Sequence, residues 1–135
     1  MSENSPLHET AETFDSETLE LLATELEVDI ETWSPTGTAH RAVIWVVVAD
    51  GVPYIRSYVG GNARWYREIR GEPHGAIHVA DRRIPIRAVP ADDAVAVAAY
   101  SSAVQIKYAG DPATGAMIRP EVLETTLRLE PDQAP

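Results

Sequence analysis

The sequence predicts a single α+β domain in which six short antiparallel strands form a small barrel and helices fill the gaps between them. Three observations support this fold class. Several short segments alternate apolar and polar residues, two Asp-containing dipeptides are placed to turn hairpins, and helical segments lie between the strands. A length of 135 residues, 44% of them hydrophobic, is sufficient to bury one core.

The chain is expected to begin its folded part with a helix that leads into a strand. Asp15 or Ser16 can cap a helix over residues 16–25, where leucines recur at helical spacing. Residues 26–33 alternate apolar and acidic side chains, which indicates a strand with one solvated face. We therefore expect the N-terminal helix to lie against the sheet.

The middle of the sequence predicts a central hairpin followed by a short helix. Residues 42–49 are an unbroken apolar run, typical of a strand covered on both faces, and Asp50-Gly51 favours a tight turn into a strand over 53–59. Asn62 can then cap a helix that runs through Arg70, with Gly71 at its carboxyl end.

The last third predicts a second hairpin, a segment of mixed signals and a final strand. Residues 76–80 and 83–89 form the second hairpin about Asp81-Arg82. The alanines of residues 91–108 favour a helix, although the valines there would also suit strands. Alternation over residues 125–130 predicts the last strand.

Composition sets the expected domain limits and excludes several kinds of chemistry. We expect mobile tails at 1–12 and 132–135 around one domain at 13–131. The absence of cysteine excludes thiol catalysis, disulfides and thiolate metal sites. No apolar run is long enough to cross a bilayer and no secretory signal is recognisable, so a cytoplasmic protein is expected.

Charge is distributed unevenly along the chain. The net charge is −10, yet residues 41–90 contain eight arginines against four acidic residues, whereas residues 1–40 contain ten acidic and no basic residues. The acidic total argues against nucleic acid or an anionic membrane as partner. The arginine-rich middle favours a small anionic or aromatic ligand, although each arginine taken singly also suits a solvated strand face.

The segment from Arg56 to Arg67 contains the parts of an anion site. Glycines and a helix N-terminus offer backbone N–H groups, and Arg56, Ser57 and Arg64 can add side-chain donors. An ordinary glycine-rich turn with a capped helix explains the same pattern equally well. Strand alternation also places Tyr54, Arg56 and Tyr58 on one face, where a planar ligand could stack or the tyrosines could simply pack across strands.

Histidines and tryptophans give weaker signals. His40 could donate a proton, and Arg41 follows it at the start of a strand, although a histidine there is also expected to be merely exposed. His74 and His78 lie four residues apart but in a strand-like segment, so no metal site is predicted. Trp45 and Trp65 are expected to pack as hydrophobic anchors in preference to lining a ligand site.

The order of elements resembles the split β-barrel group that binds FMN or deazaflavin, which includes pyridoxamine-phosphate-oxidase-like and nitroreductase-like proteins. The resemblance is carried by His40-Arg41, Asp50-Gly51, Arg56-Ser57, the glycine pair and Trp65-Tyr66-Arg67. Together with Lys107-Tyr108 and residues 125–131, this combination is similar to a bacterial family catalogued as a domain of unknown function. One departure is Ala63-Arg64, where deazaflavin enzymes commonly have a proline before the tryptophan.

The resemblance implies a homodimer with the cofactor ring at the subunit interface, and FMN or deazaflavin F420 as the cofactor. Arg56 and Ser57 match the phosphate-holding strand, and the turn into Trp65 matches the loop beside the ring. The cofactor-binding candidates are therefore Arg41, Tyr54, Arg56, Ser57, Gly60, Gly61, Asn62, Arg64, Trp65, Tyr66 and Arg67, and the catalytic candidates are His40 and Tyr66.

Three functions remain open at this stage. The first is a flavin- or deazaflavin-dependent oxidoreductase, in which the cofactor performs the electron transfer. The second is a barrel with no cofactor that binds or rearranges a small organic anion. The third is a non-catalytic dimerisation or interaction module.

Overall fold

A computed structural model describes residues 13–132 of the chain. The helices are α1 (Ser16–Thr24), α2 (Arg64–Gly71), α3 (Ala94–Lys107) and α4 (Pro120–Leu123), with 3₁₀ turns at Gly60–Asn62 and Thr114–Ile118. The strands are β1 (Val28–Trp33), β2 (Ala39–Ile44), β3 (Val46–Ala49), β4 (Val52–Ile55), β5 (His74–Val79), β6 (Arg82–Pro90) and β7 (Leu127–Pro131). The tail expected at residues 1–12, and all but the first residue of the tail expected at 132–135, lie outside the described residues. Asp132, assigned to the second tail, donates its backbone N–H to Pro85 O at 3.2 Å.

The seven strands form one antiparallel sheet in the order β2-β1-β5-β6-β7-β4-β3. Its two outermost strands, β2 and β3, are consecutive in the chain and are separated only by Trp45. Because successive Cα atoms are about 3.8 Å apart, Ile44 and Val46 cannot be more than about 8 Å apart. The sheet must therefore curl until its ends meet, which confirms the α+β split-barrel prediction.

The strand count differs from the prediction, since seven strands replace six. The apolar run over residues 42–49 is not one central strand but the end of β2, Trp45 and all of β3. Val46 packs in the core inside the curled sheet, whereas Val47 packs in a second core beneath α3. Both faces of β3 are therefore covered. This explains why residues 42–49 show no alternation of apolar and polar side chains, even though the strand is interrupted at Trp45.

Both predicted hairpins are confirmed. Asp50 and Gly51 turn between β3 and β4 with φ of 52° and 77°, the left-handed pair that a tight two-residue turn needs. The β5–β6 turn lies one residue earlier than predicted, at Ala80 and Asp81, because Arg82 already pairs with Val79. The strand after the first turn is shorter than predicted and ends at Ile55.

The helix predictions are largely confirmed, with one wrong cap. Asp15 caps α1 by accepting from Thr18 N at 2.7 Å, and Asp93 caps α3 by accepting from Ala96 N at 3.1 Å. The segment 91–108 is thus mainly helix, as its alanines favoured. At α2 the N-cap is Ala63 and not Asn62, with no side-chain hydrogen bond to the cap. None of the helices within residues 13–132 has the length and apolar character needed to cross a bilayer.

Lys107 and Tyr108 attach the end of α3 to the barrel. Lys107 Nζ donates to Leu22 O at 2.8 Å and to Val46 O at 2.6 Å. Burial of this amine lowers its pKa to about 8. The Tyr108 ring stacks on Trp45, with ring centroids 3.9 Å apart and planes within 4°. These contacts hold α3 beside the junction where the sheet closes.

Glu31 is a buried carboxylate on the outer face of β1. Arg83 donates to it twice, from Nε at 3.1 Å and Nη2 at 2.9 Å, and His78 Nε2 lies 2.7 Å from Oε1. The side chain is only 10% exposed. The Arg83 hydrogen bonds outweigh the opposing effect of burial and, with His78, lower the pKa of Glu31 to about 2.

The Glu31 network makes the protein acid-sensitive. Because its folded-state pKa is depressed below an ordinary value of 4.5, the stabilisation is complete above about pH 4.5 and is lost as the pH falls toward 2. Glu31→Gln should lower the free energy of unfolding at pH 7 by about 1–3 kcal/mol and flatten its pH dependence between pH 2 and 5. Urea titrations across that range measure both effects. Glu20→Gln, an exposed position, is the matched control, and an unchanged slope in Glu31→Gln would contradict the assignment.

Gly75 lies at a position in β5 where the structure leaves no room for a side chain. An added Cβ would overlap the Glu31 carbonyl oxygen on β1 and approach Ile69 Cδ1 to 3.1 Å. Gly75→Ala should therefore push β1 and β5 apart and destabilise the fold by about 1–3 kcal/mol, measured by thermal or urea unfolding. Gly115→Ala, where an added Cβ meets nothing within 4 Å, should leave stability nearly unchanged. Equal stability of the two variants would disprove the close approach.

Candidate functional site

Helix α2 contributes side chains to two concave regions of the described surface. The smaller, which we name the tryptophan cavity, has a volume of about 280 Å³ and is lined by Val43, Ile44, Trp45, Arg56, Tyr58, Trp65, Ala113 and Met117. The larger, named the arginine groove, has a volume of about 730 Å³ and is lined by Trp33, Ser34, Pro35, Gly37, Arg64, Arg67, Glu68, Gly71, Glu72 and His74. Both volumes are within or close to the range of small-molecule sites.

Three aromatic rings form walls of the tryptophan cavity. Trp45 reaches it from the junction between β2 and β3, where the stacked Tyr108 fixes its plane. Trp65 reaches it from the first turn of α2 and contacts Tyr66 edge to face, with centroids 5.9 Å apart. Tyr58, 52% exposed, lies in the loop after β4, with the Arg119 guanidinium 5.9 Å from its ring. The cavity therefore offers flat apolar surfaces to a ligand.

Arg56 lies at the base of this cavity and is almost completely enclosed, with 1% of its surface exposed. Its guanidinium lies over the Tyr100 ring, 4.3 Å from the centroid. It donates hydrogen bonds to four neutral acceptors, namely Thr126 Oγ1 at 2.9 Å, Ser101 Oγ at 3.0 Å, Met117 O at 2.8 Å and Val97 O at 3.0 Å. Four of the five N–H groups that arginine carries are thus used within the chain.

The charge of Arg56 has no carboxylate partner among residues 13–132. Burial lowers its pKa, but a guanidinium remains protonated in proteins. The neighbouring Tyr100 hydroxyl is also buried and has no hydrogen-bond partner in the described part of the chain. A positive charge surrounded only by neutral groups favours an anionic or electron-rich group nearby.

Ser57 and the glycine turn serve the local backbone. The Ser57 hydroxyl donates to Gly60 O at 2.6 Å, and the Ser57 N–H donates to Thr125 Oγ1 at 2.9 Å. Gly60 is buried with a φ of 83°, which a side chain would strain. Gly61 and Asn62 are exposed on the same 3₁₀ turn. The Ser57 donor expected to hold a phosphate is therefore engaged inside the turn.

The remaining cofactor-binding candidates lie apart from this cavity. Arg64 and Arg67 line the arginine groove. Arg41 pairs with Asp29 at 3.0 Å on the outer face of the sheet. Tyr66 is buried in the first core and its hydroxyl accepts from Arg70 Nη1 at 2.7 Å.

The predicted stacking face of Tyr54, Arg56 and Tyr58 does not form as a strand face. β4 ends at Ile55, so alternation stops before Arg56, whose guanidinium lies over Tyr100 instead of between two tyrosines. Tyr54 packs against the second core, and Tyr58 shares the cavity with Arg56. The candidates that meet are Arg56 with Trp65 in one region and Arg64 with Arg67 in the other. Their roles in binding stay a prediction.

His40 forms a hydrogen-bonded group with Glu68 and Thr32. His40 Nδ1 lies 3.0 Å from Glu68 Oε2, and Thr32 Oγ1 donates to Glu68 Oε1 at 2.8 Å. Burial acts to raise the pKa of Glu68, but the hydrogen bonds from Thr32 and His40 hold it below its ordinary value. This group connects β1 and β2 to α2.

The other histidines are engaged elsewhere. His74 pairs with Asp132 and His78 with Glu31. In the part of the chain that the structure describes, no three potential metal-ligating side chains converge.

Several lining residues were not anticipated from the sequence. Val43, Ala113 and Met117 complete the tryptophan cavity, while Trp33 forms a wall of the arginine groove. The acceptors of Arg56 lie 41 to 70 residues beyond it in the chain. The pair Thr125-Thr126 before the last strand was the one available signal for these acceptors. Two adjacent hydroxyl side chains ahead of a strand can accept hydrogen bonds inside a fold.

Three solved structures illustrate the fold to which this chain is similar. A putative pyridoxamine 5'-phosphate oxidase from Listeria innocua is 16% identical, with 87% of this chain and 92% of that chain covered and a TM-score of 0.60. HutZ, the heme storage protein of Vibrio cholerae, is 15% identical, with 90% and 92% covered and a TM-score of 0.58. A protein described as F420 reductase is 18% identical, with 85% and 92% covered and a TM-score of 0.56. The structural similarity shows a shared split-barrel fold, and at identities this low it shows the fold alone.

Sequence comparison gives the family. No curated protein matches the chain significantly. Residues 18–129, nearly the whole described part, match a family model described as "Uncharacterized protein conserved in bacteria". The chain therefore belongs to this bacterial family, DUF2255, and has the split-barrel fold of the proteins above.

Proposed function

We propose that this protein is a homodimeric oxidoreductase that binds a phosphorylated flavin or deazaflavin, FMN or deazaflavin F420, with the ring in the tryptophan cavity. The observation that carries the proposal is the cavity itself, which is lined by three aromatic rings and by Arg56, a buried arginine without a carboxylate partner among residues 13–132. Three of the similar structures are described as a pyridoxamine 5'-phosphate oxidase, an F420 reductase and a heme storage protein, all names that imply a planar ligand.

The shape of the cavity supports a ring as the inserted part of the ligand. Its volume of about 280 Å³ lies near the lower end of the range for ligand sites, so it suits a ring system better than a whole nucleotide. Trp45, Tyr58 and Trp65 can contact a flat ring by offset or edge-to-face packing. These rings would also exclude water from the ligand face they cover.

Arg56 supports the same ligand class through its charge. One N–H of its guanidinium remains without an acceptor among the described residues, and its desolvated charge favours electron-rich carbonyl oxygens or an anionic form of a ring. A flavin-type cofactor supplies the electron transfer when it is bound. The role of Arg56 would be to stabilise negative charge close to the cavity floor.

The phosphate end of such a ligand would lie outside the cavity. Because the Ser57 hydroxyl is engaged by Gly60, we assign the phosphate instead to the rim near Tyr58. Arg119 lies there and donates from Nη2 to Tyr58 O at 2.7 Å, with its side chain exposed. The guanidinium could therefore pair with a phosphate without leaving its place beside the tyrosine ring.

Flavin titration tests this proposal directly. Wild-type protein should quench FMN or F420 fluorescence with one equivalent per chain. Trp65→Ala should weaken binding at least about 10-fold, since roughly 1.4 kcal/mol of ring packing corresponds to that factor. Trp33→Ala, which removes a tryptophan outside the cavity, is the matched control and should bind normally. Circular dichroism of each variant confirms that the fold is kept.

Two outcomes would overturn the proposal. The first is the absence of stoichiometric binding with both cofactors, and the second is equal affinity in the wild type and Trp65→Ala. If carboxylates or phosphates nevertheless raise the melting temperature saturably, the protein belongs to the class that binds an organic anion without a cofactor.

Substitution of Arg56 is expected to lower the stability of the fold, whatever its effect on ligand binding. Arg56→Ala would leave four acceptors without their donor, two of them buried and two partly buried, and would open a void, so the free energy of unfolding should fall by at least about 3 kcal/mol. Arg87→Ala removes an exposed guanidinium on β6 and should change stability by no more than about 0.5 kcal/mol. Urea denaturation compares the two, and similar stabilities would show that the Arg56 hydrogen bonds contribute little.

A further inference from the structure

The arginine groove contains two guanidiniums that donate no hydrogen bond within the described part of the chain. Arg64 and Arg67 are exposed on α2, and neither guanidinium forms a close ion pair with any of residues 13–132, although the charge of Arg64 helps to lower the pKa of Glu68. They are three positions apart on the helix, which places them on neighbouring positions of one face. Two like charges at this spacing repel each other slightly, so the pair favours a shared anion.

The carboxylates of the groove are already engaged. Glu68 accepts from Thr32 and contacts His40, and its side chain is only 9% exposed. Glu72 accepts from the backbone N–H of His74 at 3.3 Å. The formal charges of these two carboxylates and two guanidiniums cancel, but the carboxylates accept hydrogen bonds from the chain whereas the guanidiniums donate none within the described residues, so the guanidiniums are the groups available to a ligand.

A tryptophan and a fixed turn complete the groove. Trp33 is 36% exposed at the end of β1, so its indole can pack against a ring. Three backbone N–H groups hold the turn that follows, with Ser34 N donating to Thr38 O at 2.8 Å, Gly37 N to Ser34 O at 2.9 Å and Thr38 N to the Ser34 hydroxyl at 3.0 Å. The rim is thus formed before any ligand arrives.

We propose that the arginine groove is a second binding site, for an aromatic carboxylate. The ring would pack on Trp33, and the carboxylate would pair with the guanidiniums of Arg64 and Arg67. The groove volume of about 730 Å³ admits a ring system larger than a single six-membered ring. This assigns Arg64 and Arg67 to a ligand other than the cofactor, and it is independent of whether the tryptophan cavity binds flavin.

Nuclear magnetic resonance with 2-naphthoate as the probe tests the site. The indole N–H signal of Trp33 should shift saturably, while those of Trp45 and Trp65 should move little. The double variant Arg64→Ala/Arg67→Ala should weaken binding at least about 10-fold, and 2-naphthalenemethanol, which lacks the charge, should bind similarly weakly to both proteins. Arg87→Ala, which removes an exposed guanidinium outside the groove, is the control for loss of a surface arginine and should bind like the wild type.

Each contrary result has a distinct meaning. Shifts confined to Trp45 and Trp65 would place the carboxylate in the other cavity and overturn the proposal, as would wild-type affinity in the folded double variant or no saturable binding. The double variant is also titrated with FMN. If it retains FMN affinity and loses naphthoate, the second site is supported; if it loses FMN affinity, the two arginines serve the cofactor and the proposal fails.

Discussion

The fold depends on one guanidinium enclosed among neutral acceptors. Arg56 leaves the end of β4 and donates to the helix α3, to the 3₁₀ turn after it and to the threonine before β7. Hydrogen bonds from a charged donor are worth about 1.5–3 kcal/mol each, which offsets the cost of removing the charge from water. Arg56 thus joins segments that are distant in sequence, and it also gives the floor of the tryptophan cavity its charge.

The short helix α2 then contributes to both concave regions. Trp65 points its ring into one concave region, while Arg64 and Arg67 line the other. Glu68, from the same helix, is tied to β1 through Thr32 and to β2 through His40, so α2 is fixed against the strands. One helix of eight residues therefore positions a ring wall and a cationic pair on two separate surfaces.

Features set by residues close together in the sequence could be predicted, whereas features set by contacts between distant residues could not. Asp50-Gly51 and the Asp93 cap act over two to four residues, and the hairpin and the helix they specify are present. The break at Trp45 was missed because an apolar run looks the same in one doubly covered strand and in two strands at opposite ends of a sheet. The engagement of Arg56 was missed for the complementary reason, since its partners lie far along the chain.

The junction at Trp45 has a consequence for how the protein folds. Closure of the curled sheet needs no long loop there, yet the ring that packs on Trp45 belongs to Tyr108, which is synthesised much later. Contacts between such distant residues are entropically slow to form and raise the contact order. Packing of the end of α3 on this junction should accordingly be a late event on the folding pathway, and the fluorescence of Trp45 would report on that step.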